Sequence, residues 1–236
     1  MPGSNPVPDR PRDISSLFGA AFELYARYPA LFAVLAAGII LPFDAIVLAI
    51  TGAGPYSTQD ESVGTQAIVG AAEWLLIGPL VSALHVHAVA DVHEGEDPHI
   101  GPVAIRGFQA LPVVIATVIM STLGIALGFL ALIVPGVILT FRWFVAAQVA
   151  AIEREGWLES LRKSRRLTAG NYLQVLIFIL ALAAIAGFPG NILTLAFGDS
   201  NTVPVVAVGI FVHLFTASFG ALTTALLYFD LVARSR

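Results

Sequence analysis

Six stretches of this chain are long enough to cross a bilayer and almost free of charge: residues 29–50, 65–90, 111–133, 135–152, 172–193 and 204–231. A spanning helix needs about 20 mostly apolar residues. Inside lipid only helices and closed barrels satisfy their own backbone groups. The expected fold is therefore all-α, a polytopic membrane bundle of six transmembrane helices. Composition agrees, since only 12% of the 236 residues are charged, about half the share in soluble domains.

The third and fourth stretches would be one long run but for "VPG" at 134–136. Proline removes a helix donor there and glycine permits a reversal. The linkers at 52–64 and 196–203 carry no Arg or Lys. Outside the spans, the basic residues all fall on the other side: Arg10, Arg12, Arg27, Arg106, Arg154, Arg162, Lys163, Arg165, Arg166, Arg234 and Arg236. The positive-inside rule then places both termini in the cytoplasm, with three hairpins crossing and returning. Arginine dominance with Ala, Gly and Val richness points to a GC-rich bacterial genome, hence a bacterial cytoplasmic membrane.

The first residues, "MPGSNPVPDRPR", are polar and proline-rich and read as a disordered cytoplasmic tail over 1–12. Residues 13–236 form a single membrane domain, and no cleaved signal peptide is expected. The hairpins have similar approaches. "DISSLFGAAFELYARY" sets Ile14, Leu17, Phe18, Ala21, Phe22 and Tyr25 on one helical face, with Asp13 as cap. "EGWLESLRKSRRLTAGNY" turns Trp157, Leu158 and Leu161 to lipid, while Arg162, Lys163, Arg165 and Arg166 meet headgroups. "HIGPVAIRGFQAL" is a shorter, poorer version before the third span. Amphipathic cytoplasmic surface helices complete the expected fold.

The block "IVPGVILTFRWFVAAQVAAIEREGWLESLRKSRRLTAGNY" resembles the membrane domain attached to some bacterial glycerophosphoryl diester phosphodiesterases, and related stand-alone small membrane proteins. The resemblance runs from the Pro-Gly turn, through the arginine-bearing span, to Glu155-Gly156 and on to the Ser160–Gly170 helix. It closes on "YFDLVAR", where Val232 replaces the usual arginine. It implies a fold more than an activity. The phosphodiesterase chemistry of the fused proteins belongs to a separate soluble barrel, for which this chain has no room.

Four ionisable residues fall within spans on four helices. At 1.5 Å rise per residue, Asp44 lies about 9 Å, Arg142 about 10 Å, Glu73 about 12 Å and His213 about 14 Å from the outer ends. They are expected to share one intramembrane charged layer. An isolated charge there costs about 2.5–3.5 kcal/mol, so Arg142 is expected to pair with Asp44 or Glu73.

Without cysteine there is no disulfide, thiolate metal site or cysteine nucleophile. His85, His87, Asp91, His93 and His99 cluster near the end of the second span. Only His87 and Asp91 would share a face, so no metal is assigned. No cofactor is expected. Nucleic acid is excluded as a partner because no broad basic surface exists. Pro42, Pro79 and Pro189 should kink their helices, and Gly124–Gly128 forms a close-packing G-x-x-x-G. Asp230, at the inner end of the last span, is read as a holder of a surface-helix arginine or as a marker of the water boundary.

Membrane lipids are the expected partners; a protein partner or homo-oligomer stays open. The expected function is a non-enzymatic integral membrane protein that interacts with lipid or supports a partner. The alternative is a small transporter or permease-like protein using the charged layer. An intramembrane enzyme with Asp44, Glu73 and His213 as acid–base groups lacks a nucleophile at a telling spacing.

Overall fold

The structure is a computed structural model describing Val7 and residues 11–52, 62–197 and 202–235. Among the described residues there are helices and no strands. The elements are α1 (Ile14–Arg27), α2 (Pro29–Thr51), α3 (Val63–Ala72), a π-turn (Glu73–Ile77), α4 (Gly78–Glu94), α5 (Ile100–Ala131), α6 (Ile133–Arg142), α7 (Ala146–Glu153), α8 (Trp157–Thr168), α9 (Tyr172–Phe197) and α10 (Val203–Arg234). Six runs are long and apolar enough to cross a membrane: α2, α3 through α4, α5, α6 through α7, α9 and α10. Large apolar side chains such as Ile50, Leu127, Leu130, Leu173 and Leu195 stand exposed along them, as a multi-pass membrane protein requires.

At the center, α10 packs against α2 and α4, and α5 packs against α6 and α7. Hydroxyl groups tie these helices together. Ser82 donates to the carbonyl of Ala221 at 2.9 Å, and the Ser218 hydroxyl lies 3.0 Å from the carbonyl of Phe32. Pro79 has no N–H, which would leave the carbonyl of Leu75 without a donor. The ladder widens there into the π-turn, where Gly78 N–H reaches back to Glu73 O. Thr122 of α5 then donates to the Leu75 carbonyl at 3.1 Å. Of the expected proline sites, Pro42 and Pro189 lie inside α2 and α9, and Pro112 inside α5 adds another.

Three local expectations are corrected. The third surface helix does not exist separately, because "HIGPVAIRGFQAL" is continuous with the span in the 32-residue α5. The fourth span is not one helix: a turn over residues 143–145 divides α6 from α7. The apolar face of α1 is turned mainly into the protein. It buries Leu17, Ala21 and Leu24, while Phe18 and Tyr25 stack on Phe178 and Phe32. Only Phe22 of that face stands out, at 67% exposure. Asp13 occupies the N-cap position, but its carboxylate takes the Ser15 hydroxyl instead of a backbone N–H.

The expected tail over 1–12 lies outside the described residues save Val7, Pro11 and Arg12. Arg12 meets the last turns of α10 at one end of the bundle. Buried Asp230 accepts from Arg12 N–H at 2.7 Å, Gln174 Nε2 at 2.8 Å and Arg234 Nε at 2.7 Å. Its arginine partner is thus on its own helix.

The G-x-x-x-G works within the bundle. A Cβ at Gly128 would sit 2.9 Å from Gly136 Cα, and one at Gly124 would sit 2.4 Å from the Trp143 ring. Gly128→Ala must therefore push α5 and α6 apart, at a cost of about 1–3 kcal/mol. Gly38, with nothing within 4 Å of a Cβ, is the control. Thermal unfolding in detergent should show a clear drop in midpoint for Gly128→Ala and almost none for Gly38→Ala.

Candidate intramembrane charged site

Three of the four sequence-selected ionisable residues come together. His213, on α10, stands between two carboxylates. Its Nδ1 lies 2.9 Å from Asp44 Oδ1 of α2, and its Nε2 lies 3.0 Å from Glu73 Oε1 at the start of the π-turn. Asp44 and His213 are buried, whereas the Glu73 side chain is 45% exposed. One imidazole thus bridges the first, second and sixth spans. An imidazole has a ring nitrogen on each of two edges, so one side chain can meet two carboxylates from different helices.

Arg142 is not part of this site. Among the described residues it makes no ion pair with Asp44 or Glu73, and its Nε is buried without a hydrogen-bond partner. The expected pairing is corrected for two reasons. First, α6 ends at Arg142, so the guanidinium sits in the last helical turn. The exposed carbonyls and dipole of a helix C-terminus favor a cation there. Second, the Arg142 carbonyl accepts from Ser164 at 3.0 Å and from Thr168 at 3.4 Å. These bonds hold it against α8, the helix with the basic run. Depth along a span sets how far a side chain lies from the membrane face, not which neighboring helix it meets.

On α8 the four candidate headgroup residues differ. Arg162 pairs with Glu159 at 2.5 Å and Lys163 pairs with Glu153. Arg165 and Arg166 are exposed. Trp157 and Leu158 are also exposed, but Leu161 is buried in the protein instead of facing lipid.

The histidine cluster resolves into separate contacts. No group of three His, Cys, Asp or Glu side chains suited to a metal occurs among the described residues. Asp91 turns to Arg106 at 2.5 Å and leaves His87. His85 donates from Nδ1 to the Val81 carbonyl at 2.8 Å, with Ser218 at 2.9 Å from Nε2.

A cavity of about 640 Å³ adjoins the charged site, within the range of small-molecule pockets. All six spans contribute to its wall, through residues such as Ile40, Glu73, Ile125, Gln148, Leu182 and Ala217. Its serines and threonines are engaged by backbone. Ser82, Ser121 and Thr122 donate to the carbonyls of Ala221, Val118 and Leu75. Thr140, Thr216 and Thr224 donate to those of Gly136, Val212 and Gly220. Gln148 is the residue that sequence reasoning passed over. It is fully buried; its Nε2 donates to Ser82 Oγ at 2.6 Å and its Oε1 has no partner. Since Ser82 spends its proton on a carbonyl, it can only accept, which fixes which end of the amide faces it. A lone amide in the apolar "FVAAQVAAI" was the available signal.

No protein-family model, curated protein or solved structure matches this chain at a significant level.

Coupling energies separate the two arrangements. A double-mutant cycle between Asp44→Asn and His213→Gln should give an interaction of about 1–3 kcal/mol in detergent unfolding. The cycle between Asp44→Asn and Arg142→Leu should be additive within about 0.5 kcal/mol. A strong Arg142 coupling with a null His213 coupling would contradict the geometry described.

Proposed function

We propose that this chain is a multi-pass protein of a bacterial cytoplasmic membrane, with both termini cytoplasmic, that takes an amphiphilic molecule from the bilayer into its cavity without transforming it. The cavity carries this reading. It lies among all six spans, has a largely apolar wall and is large enough for a substantial part of a lipid or similar amphiphile. The loose seating of α9, whose main neighbor is α10, gives lipid a short way in. A non-enzymatic role is supported by the wall hydroxyls of Ser82, Ser121, Thr122, Thr140 and Thr224, which give their protons to backbone carbonyls and not to a side-chain base of the kind a nucleophile needs.

Arginine placement supports the orientation: Arg234 bonds Arg12 and Arg154 bonds Arg106, with Glu153 beside Tyr228 of α10 joining the two pairs, and Arg165 and Arg166 are exposed to meet anionic headgroups. The resemblance to the membrane domain of glycerophosphoryl diester phosphodiesterases is part of the same proposal, since that domain accompanies lipid chemistry without performing it. A second reading, a small permease, is favored by one observation: Glu73 puts an ionisable group on the cavity wall.

Native mass spectrometry after gentle extraction tests the proposal. The wild type should retain amphiphile adducts of discrete mass. Ala217→Trp, which fills the cavity from α10, should lose them while remaining folded. An empty wild type, or adducts that persist unchanged in Ala217→Trp, would overturn it.

A further inference from the structure

The wall residues measure the length of the cavity. It runs from Val118 to Ile125 on α5, from Ile179 to Gly187 on α9 and from Thr216 to Thr224 on α10. Seven or eight residues at 1.5 Å rise make about 12 Å. A volume of about 640 Å³ spread over that length has a mean section of about 55 Å². An extended carbon chain advances about 1.2 Å per bond, a third of the span of one residue. A methylene is close in size to a water molecule, at about 30 Å³. Such a chain therefore has a section of about 25 Å². One chain fills half of the cavity and leaves the remaining wall atoms without partners, which forfeits their contacts. Two chains side by side fill it, for about ten carbons each.

The two ends of the cavity differ. Toward the 52–64 and 196–203 linkers its lining residues are exposed: Gly70 and Trp74 from the second span, Ala183 and Gly187 from the fifth. They mark the mouth, and the half-exposed Glu73 carboxyl lies at the same level. At the opposite end Val118, Ala147, Gln148 and Ala221 are buried. The hydroxyls of Ser82 and Thr224 there are spent on backbone carbonyls. A guest thus meets accessible polar surface at the mouth and a closed apolar end beyond it.

We propose that the cavity takes one two-chain lipid from the leaflet beside the 52–64 and 196–203 linkers, with both chains side by side in the closed end and the headgroup at the mouth. This rests on the amphiphile-uptake reading and names the chemical class taken up. The bilayer around the spans supplies such molecules directly. Gly70 and Gly187 keep the mouth wide: a Cβ on Gly70 would meet nothing within 4 Å, and one on Gly187 only Asn191 Nδ2, at 3.9 Å.

The test offers the full chain, in a nonionic detergent, equal amounts of dilauroylphosphatidylglycerol and lauroyl-lysophosphatidylglycerol, and reads the adducts by native mass spectrometry. The shared headgroup cancels any contribution from Arg165 and Arg166. The two-chain adduct should exceed the one-chain adduct at least about tenfold, at one lipid per chain. Gly187→Phe, which has room to fold, puts a ring in the mouth and should abolish that preference. Equal or stronger binding of the one-chain lipid, or a preference that survives Gly187→Phe, overturns the two-chain site and leaves the amphiphile cavity standing. Binding of neither overturns both. Fluorescence tests the orientation. The Trp143 ring lies against Gly124, close to the mouth, and is kept as the sole tryptophan by Trp74→Phe and Trp157→Phe. Lipid brominated next to the glycerol should quench it more than lipid brominated at the chain ends. Any other order overturns the placement of the headgroup.

Discussion

In hydrocarbon a backbone carbonyl without a donor has no water to turn to, and this protein is organized around that constraint. Where proline opens the second span, a threonine from the third closes the gap at Leu75. Where α6 stops at Arg142, Ser164 and Thr168 of α8 bond its carbonyl. Ser82 does the same at Ala221, between the second and sixth spans. These bonds replace the hydrophobic drive that lipid does not supply between helices. They also consume the hydroxyls around the cavity, so the space they frame keeps few polar groups of its own.

Against that background the charged site stands out for being connected across three helices. His213 gives each carboxylate a partner and ties three spans together. Arg142, the cation nearest in sequence-derived depth, stands instead in the last turn of α6, with its carbonyl bonded to α8. Separating them lets the two features differ: one helps seat an amphipathic helix, the other borders a cavity.

The architecture was legible because length and hydropathy determine which segments can cross a bilayer, and all six spans appear at the expected places. Asp44, Glu73 and His213 were legible for the same reason, as ionisable side chains too deep to be casual. Their partner was not. Pairing depends on which way each side chain points, and the turn at 143–145 and the π-turn at Glu73–Ile77 rotate side chains in ways that residue counting misses. Gln148 was illegible for a different reason. An amide is uncharged and draws no notice until its second hydrogen bond proves to be missing. The surface helices were recognized by their amphipathic faces, but which apolar residues meet lipid and which meet protein follows from tertiary packing. Leu161 and Leu17 went inward on that account.

The π-turn has a geometric effect beyond accommodating Pro79. One surplus residue in a helical ladder shifts the phase of all that precedes it by roughly 100° relative to all that follows. Glu73 opens that surplus segment, so its direction is set by the shift and not by the α-helical register of Ser82 and His85 below it. A single-residue deletion between Glu73 and Ile77 would restore a regular helix and swing the upper half of the span around its axis. The carboxylate would then leave the imidazole without any change in its chemical identity, because the second span behaves as two helices timed by one inserted residue.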